Sequence, residues 1–541
     1  MNLNQIKTIF FLAFIFIVIS CGNKTEKDTT QNKEKKTKPN IVFIMSDDHA
    51  YQAISAYGHN LNNTPNIDRI ANEGAIFNRG FVTNSICAPS RAVMLTGKHS
   101  HINGKVDNIL PYNWNQDNFA KQLQKSGYQT ALIGKIHLHG LPQGFHYSNV
   151  LPGQGQYYNP DFIENGEKKR YKGYVTSITT DIALEWLDTK REKDKPFLLL
   201  YHQKAPHRTW MPEKKYFNLF KDKKFTPPTN YFDDYKGRPA AAKHEMGIFK
   251  DLDIVYDLKM LDKNKELKTR YRKAFQKQYD RMDSVQKSAW DEHYNPIIAS
   301  FKKNTPVGKD LALWKFQRYM EDYLRTIQSV DDGVGQVLDY LEENNLTENT
   351  IIVYTSDQGF YLGEHGWFDK RFMYEESFRT PLLMKYPKEI KPGTVVNKMV
   401  QNLDFAPTFL DYAEVDIPKD IQGESFRKLV SGESSEWRDA IYYTYYEFPG
   451  EHHVKRHYGI RTDRYKLIHF YYDINHWELY DLEKDPSEMN NIYDNIAYIE
   501  VKETMHKRLI EMREKYGDSD KLTQKNLDNY LNAKGLKKKQ F

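Results

Sequence analysis

The chain has 541 residues, 39% of them hydrophobic and 14% aromatic, which is too long for one ordinary core and calls for one large domain with a smaller one attached. Its net charge of +6 comes from 78 basic and 72 acidic side chains. That balance permits an anionic substrate, while no basic run is long or aromatic-interleaved enough to read nucleic acid, and the final KGLKKKQF reads as a solvated tail.

In chain order, residues 1–20 carry Lys7 and then the apolar run IFFLAFIFIVIS. The run is too short to span a bilayer and has the regions of a secretory signal. Its last four residues, Val18-Ile19-Ser20-Cys21, resemble a bacterial lipobox, which implies cleavage before Cys21 and lipidation of its thiol. Residues 21–38 are polar and charged and read as a disordered tether. The expected product is an exported lipoprotein, held by lipid at an outer membrane and facing periplasm or cell surface. Cys87 is then the one cysteine of the folded part, and an intrachain disulfide is excluded.

Four apolar runs follow, each ending in polar residues. Ile41–Met45 leads to Asp47, Asp48 and His49. TALIG leads to Lys135, His137 and His139. Phe197–Tyr201 leads to His202, Lys204 and His207, and Ile351–Tyr354 leads to Asp357 and Gln358. Continuous apolar runs of this kind fit strands buried on both faces. Between them SVDDGVGQVLDYLEENN sets Val330, Val334, Val337, Leu338 and Leu341 on one helical face. Strands alternating with helices predict an α/β fold with a largely parallel sheet. A stretch at about 212–315, rich in charge and aromatics, is expected to pack as helices near the pocket mouth. EHHVKRHYGIRTDRYKLIHFYYD is expected to form strands.

Ligands of such sheets bind beyond the carboxyl ends of the strands. Asp47, Asp48, Asp357 and Gln358 are hard oxygen donors, and three carboxylates gathered together repel unless a cation joins them. Oxygen ligands favour calcium or magnesium over zinc; the competing reading of Asp47 and Asp48 is helix capping. Arg91, Lys135, His137 and His207 add positive or protonatable groups, which suits a tetrahedral oxyanion such as sulfate or phosphate. His139, His202 and Lys204 read as neighbours that shape the pocket.

Cys87-Ala88-Pro89-Ser90-Arg91, followed by Leu95-Thr96-Gly97, resembles the signature of the formylglycine-dependent sulfatases. The Asp47-Asp48 pair, Gly134-Lys135-Ile136-His137, Ala205-Pro206-His207 and SDQGFYLGEHG follow that family's order, and the likeness covers roughly residues 39–490. The resemblance implies an alkaline-phosphatase-like α/β/α sandwich at 39–435 and a smaller C-terminal α+β domain at 436–541, a short antiparallel sheet plus a helix. It implies that a formylglycine-generating maturation enzyme converts Cys87, whose hydrated aldehyde attacks sulfur. It implies one calcium ion on Asp47, Asp48, Asp357, Gln358 and residue 87. It assigns Arg91 to the ionised diol, Lys135 and Lys370 to sulfate oxygens, His207 to the leaving oxygen and His137 to the diol proton. Gln358 stands where the family often has Asn or His, and supplies the same oxygen from a longer arm. Arg371, His453 and His457 are candidates for touching the sugar of a sulfated poly- or oligosaccharide. Two other classes compete: a phosphatase or phosphodiesterase of the same superfamily, and a non-catalytic carbohydrate-binding lipoprotein.

Overall fold

The four apolar runs become four adjacent strands at the centre of a ten-stranded sheet. In the computed structural model, which describes residues 37–267 and 269–536, the strands are β1 (Asn40–Ser46), β2 (Ala75–Phe77), β3 (Gln129–Gly134), β4 (Tyr147–Val150), β5 (Asp161–Glu164), β6 (Glu167–Arg170), β7 (Phe197–His202), β8 (Thr350–Ser356), β9 (Leu382–Lys385) and β10 (Thr394–Val396). Their spatial order is β10-β2-β9-β8-β1-β7-β3-β4-β5-β6. β8, β1, β7, β3 and β4 run parallel, while β9, β5 and β6 pair antiparallel with their neighbours. The leader, Cys21 and almost all of the tether lie outside the described residues.

Alternation along the central strands feeds two cores. Val42, Ile44, Ala131, Ile133, Leu199, Tyr201, Ile352 and Tyr354 face one of them. Ile41, Phe43, Met45, Leu132, Leu198, Leu200, Ile351 and Val353 face the other. The second core is closed by α1 (Cys87–Thr96) and by a short helix at Phe405–Tyr412. The first is closed by α2 (Val175–Glu185) and the C-terminal half of α3 (Gly308–Glu343), where Val330, Val334, Val337 and Leu341 are completely buried. This is the expected α/β/α sandwich. The helix predicted around Val330 is longer than its apolar period showed, because the first half of α3 buries Arg318, Asp322 and Arg325 as ion pairs.

The stretch at 212–315 is only partly helical. Arg272–Asp280 and Ser284–Lys303 are helices, but 217–271 contains only turns and one short 3₁₀ piece among its described residues. Pro227, Pro228, Pro239 and Gly237 interrupt helical hydrogen bonding there. At the C-terminal end, Ala440–Tyr445, His457–Thr462, Tyr465–Phe470 and His476–Asp481 form the expected antiparallel meander, backed by the helix Ile499–Lys515.

Candidate active site at the carboxyl edge of the sheet

Asp47 and Asp48 leave the end of β1, and Asp357 and Gln358 leave the end of β8; all four are completely buried. The two strands are in parallel register from Asn40–Thr350 to Ser46–Ser356, so their polar ends emerge side by side. Asp48 N–H then donates to Asp357 Oδ1 at 3.1 Å. Tyr323, reaching over from α3, donates its hydroxyl to the Asp48 carbonyl at 2.7 Å. A Cβ at Gly359 would collide with the backbone carbonyls of Glu376 and Arg379, so the loop carrying Gln358 closes only with glycine there.

One oxygen each from Asp47, Asp48 and Asp357 lies within 4.8 Å of the others, and Cys87 Sγ forms a similar group with Asp47 and His207. Cys87 is the first residue of α1, at the positive end of that helix. Arg91, one turn on, donates from Nε to Asp357 Oδ2 at 2.9 Å and from a terminal nitrogen to the Lys135 carbonyl at 2.6 Å. Its other terminal nitrogen lies 3.6 Å from Asp47 Oδ1. Lys135, delivered by β3, has its ammonium against Asp47 Oδ2 and Gln154 Oε1. Lys370 straddles Asp48, at 2.6 and 2.7 Å from its two oxygens. His207 turns Nε2 toward Asp48 Oδ2 at 3.8 Å, and its Nδ1 is 2.6 Å from the Arg208 carbonyl. That carbonyl can only accept, so Nδ1 carries a hydrogen and Nε2 is the titrating nitrogen.

Burial dominates the electrostatics. It pushes the Asp48 carboxyl up to about 7, with Asp357 and Asp369 pushing the same way against Lys370. Burial works against the Asp357 charge too, but Arg91, Lys135 and Lys370 outweigh it and hold that carboxyl below its ordinary value. Burial raises the Cys87 thiol far above the usual thiol range, so its sulfur is not a ready thiolate. His137 and His207 are held well below the ordinary imidazole value by burial and by neighbouring cations, Lys135 among them.

These residues suit a hard divalent cation. The donors are oxygen, and both Asp47 carboxylate oxygens and Gln358 Oε1 are buried without a hydrogen-bond donor. Lys135 and Arg91 meet Asp47 only as ion pairs. Asp48, His137, Asp369 and Arg371 hold φ of 67°, 56°, 76° and 98°, a left-handed backbone costing on the order of 1–3 kcal/mol each.

The candidate sugar contacts fare differently. Arg371 is buried beside Lys370, held by Asp369 at 3.1 Å, Glu447 at 2.9 Å and the Tyr445 hydroxyl at 3.3 Å. His453 is half exposed and pairs with Glu245 at 3.2 Å. His457 does not reach the pocket. Its ring is completely buried among Phe372, Tyr443, Tyr445 and Phe470. One ring nitrogen accepts from Met373 N–H at 3.1 Å and the other meets the Lys455 carbonyl at 2.7 Å, so both are occupied by the fold. The sequence reading passed over Gln154, Asp369, Glu447 and His452, which sits 3.2 Å from Asp369. Only Asp369 carried a local signal, its place beside Lys370.

Comparison with known proteins agrees with this geometry. The family described as Sulfatase matches residues 39–415, and that described as N-sulphoglucosamine sulphohydrolase, C-terminal, matches 363–515. The chain is 50% identical over 508 residues to N-acetylglucosamine-6-O-sulfatase of Bacteroides thetaiotaomicron, covering 93% of this chain and 89% of that protein. A solved protein in complex with its substrate D-glucosamine-2-N,6-O-disulfate superposes with a TM-score of 0.86 at 50% identity, over 90% of this chain and 99% of that one. The phosphonate monoester hydrolase of Agrobacterium radiobacter shares the fold at 20% identity and a TM-score of 0.65, over 88% of this chain and 96% of that one.

Proposed function

The chain belongs to the sulfatase family and is a sulfuric ester hydrolase of sulfated carbohydrate, and from that premise we propose that it removes a 6-O-sulfate from a glucosamine residue by way of a formylglycine at position 87. The observation that supports this most is the gathering of Asp47, Asp48 and Asp357 oxygens within 4.8 Å beside the helix end that carries Cys87. The relative acting on N-acetylglucosamine 6-O-sulfate and the solved complex with a glucosamine disulfate supply the sugar.

In this reading a maturation enzyme oxidises Cys87 to the aldehyde, and water adds to give a geminal diol. One diol oxygen bonds to sulfur as the sulfur–oxygen bond to the sugar breaks. The second hydroxyl gives up its proton, the aldehyde re-forms and sulfate leaves, so no added water needs to attack the sulfur ester. Asp47, Asp48, Asp357 and Gln358, with residue 87, would hold one calcium ion, which supplies Lewis-acid polarisation when bound. Arg91 orients the diol, and Lys135 and Lys370 take the sulfuryl oxygens. His207 protonates the leaving sugar oxygen from Nε2. Burial, and then the cations around it, keep it neutral until the negative substrate arrives, so its proton is recruited with the sulfate group. His137 takes the proton of the second hydroxyl. Arg371 and His453 are the residues we assign to the sugar.

The proposal extends to the ends of the chain: residues 1–20 as signal, lipidated Cys21, a tether to residue 38, catalytic residues 39–435 and a C-terminal subdomain from 436. It places the enzyme on an outer membrane. Changing Cys21→Ala should release it from membranes at unchanged specific activity, and an unmodified mature N-terminus from native membranes would exclude the anchor.

Hydrolysis of glucosamine 6-sulfate in ¹⁸O-water, followed by mass spectrometry of the products and of the peptide holding residue 87, tests the central claim. Label in sulfate and an aldehyde at position 87 are expected. Label in the sugar hydroxyl would refute cleavage of the sulfur–oxygen bond, and faster release of phosphate from glucosamine 6-phosphate would mark the phosphatase reading as right. Elemental analysis giving stoichiometric zinc in active enzyme would defeat the calcium assignment.

A further inference from the structure

Three of the cations in the pocket have a carboxylate partner: Arg91 on Asp357, Lys135 on Asp47 and Lys370 on Asp48. A fourth does not. Lys204 lies just past the end of β7 and is 2% exposed. Among the described residues its ammonium makes no hydrogen bond and no ion pair; its one close partner is the face of Tyr157, 4.7 Å from the ring centroid.

The same ring ties Lys204 to the chemistry. Tyr157 hydroxyl donates to the His207 carbonyl at 2.5 Å, and His207 N–H donates to the Lys204 carbonyl at 3.1 Å. Lys204, Tyr157 and His207 are therefore one rigid corner of the pocket. The charge of Lys204 is felt by Lys135 and His207, and the Asp48 and Cys87 positions act back on it. Burial brings its ammonium down to about 8 against the pull of the Asp48 charge, with which it forms no ion pair. An ammonium in so buried a residue, with a ring face and only a trace of solvent beside it, is costly, and an incoming anion would complete it.

The geometry points to Lys204 as a further sulfate-binding residue, which meets a sulfuryl oxygen of the bound ester and of the sulfate product. The assignment rests on the sulfatase reading above. Its logic is that Lys135, Lys370 and Arg91 must divide their charge between resident carboxylates and substrate. Lys204 feels Asp48 only at a distance and has no ion-pair partner, so it is the cation most free to turn to the incoming anion.

The test is Lys204→Met, compared with the parent and with Lys204→Arg in fully matured, calcium-loaded enzyme. Turnover of glucosamine 6-sulfate, inhibition by inorganic sulfate and thermal midpoint are measured for each. Lys204→Met should lose about 10²-fold in kcat/KM, the usual cost of one oxyanion donor. Its Ki for sulfate should rise about tenfold. Its thermal midpoint should stay or rise, since no partner is stranded, and Lys204→Arg should recover part of both losses. A structural lysine would give the reverse: a lower midpoint with an unchanged Ki. That result, or a Met variant within threefold of the parent in Ki and kcat/KM, overturns the assignment and leaves the sulfatase reading intact. A parent that releases no sulfate overturns the reading and the assignment together. Should the Met variant not fold, equal sulfate inhibition of Lys204→Gln and Lys204→Arg overturns the assignment, and loss in Gln alone sustains it.

Discussion

Asp48 and Asp322 are both completely buried, and their surroundings treat them in opposite ways. Asp322, on α3, is met by Lys259 at 3.2 Å, Arg325 at 3.0 Å, Arg318 at 3.3 Å and the Tyr294 hydroxyl at 3.1 Å. Burial alone would raise its carboxyl, but those cations outweigh it and hold it below the usual carboxylate range. Asp48 has Lys370, yet burial, helped by Asp357 and Asp369, pushes its carboxyl up to about 7. In the first cluster both Asp322 oxygens meet donors and the fold gains a fixed strut. The second is open: Asp47 and Gln358 oxygens are left over and Lys204 has no ion-pair partner. A closed cluster serves the architecture, and an open one has been left for something that binds.

The contrast can be broken most sharply at Asp357 and Asp322. Asp357→Ala should reduce sulfate release below detection, and in the metal-free protein it should also lower the thermal midpoint, because Arg91 and the Asp48 N–H lose their partner. Calcium should then no longer raise the midpoint. Asp322→Asn should cost about 3–5 kcal/mol of stability by stranding buried cations. Its folded fraction should keep near-normal kcat. Equal loss of activity at both positions would erase the distinction.

His207→Ala sharpens it within the open cluster. Turnover of a sugar sulfate should fall ~10²–10⁴-fold, the usual worth of a general acid. An aryl sulfate, whose phenolate leaves without a proton, should lose far less. Equal losses on the two substrates would remove His207 from the leaving-group role.

The smallest effect is on pH dependence, and its sign differs between the two aspartates. Asp48 binds its proton more tightly in the folded protein than in the unfolded one. In chelated enzyme its contribution is therefore greatest below about 4 and is lost as pH rises toward about 7. Asp322 has its carboxyl lowered, so its contribution is present above the unfolded value of 3.8 and is lost as pH falls below it. Thermal midpoints of parent and Asp48→Asn between pH 4 and 7 check this; the variant should show a flatter fall with pH, and saturating calcium should flatten the parent. Parallel curves would refute the sign given for Asp48.

Much of this was legible beforehand, for a physical reason. β1, β3, β7 and β8 are buried on both faces, so each writes itself as an unbroken apolar run that stops at its functional residues. The outer strands are three or four residues long and leave no such trace. The first half of α3 hid because its inward face carries Arg318, Asp322 and Arg325, whose mutual pairing no periodicity reveals. The motif around Cys87 announced the centre of the site. The surroundings did not announce themselves: Lys204 matters through a partner it lacks, Asp369 through a backbone turn, and His457, which looked like a sugar ligand, through aromatic rings brought to it from three distant segments.

The link between Arg371 and Glu447 bears on how this enzyme can be taken apart. Tyr445, at the end of the first C-terminal strand, and Glu447 just past it hold Arg371, and Tyr443 donates its hydroxyl to the Arg371 carbonyl at 2.6 Å. His452 in turn meets Asp369. Residues after 440 thus hold the turn that carries Asp369 and Arg371. A gene cut at 435 would remove those holds, and chimeras that exchange C-terminal segments between relatives would test whether the choice of glycan travels with them.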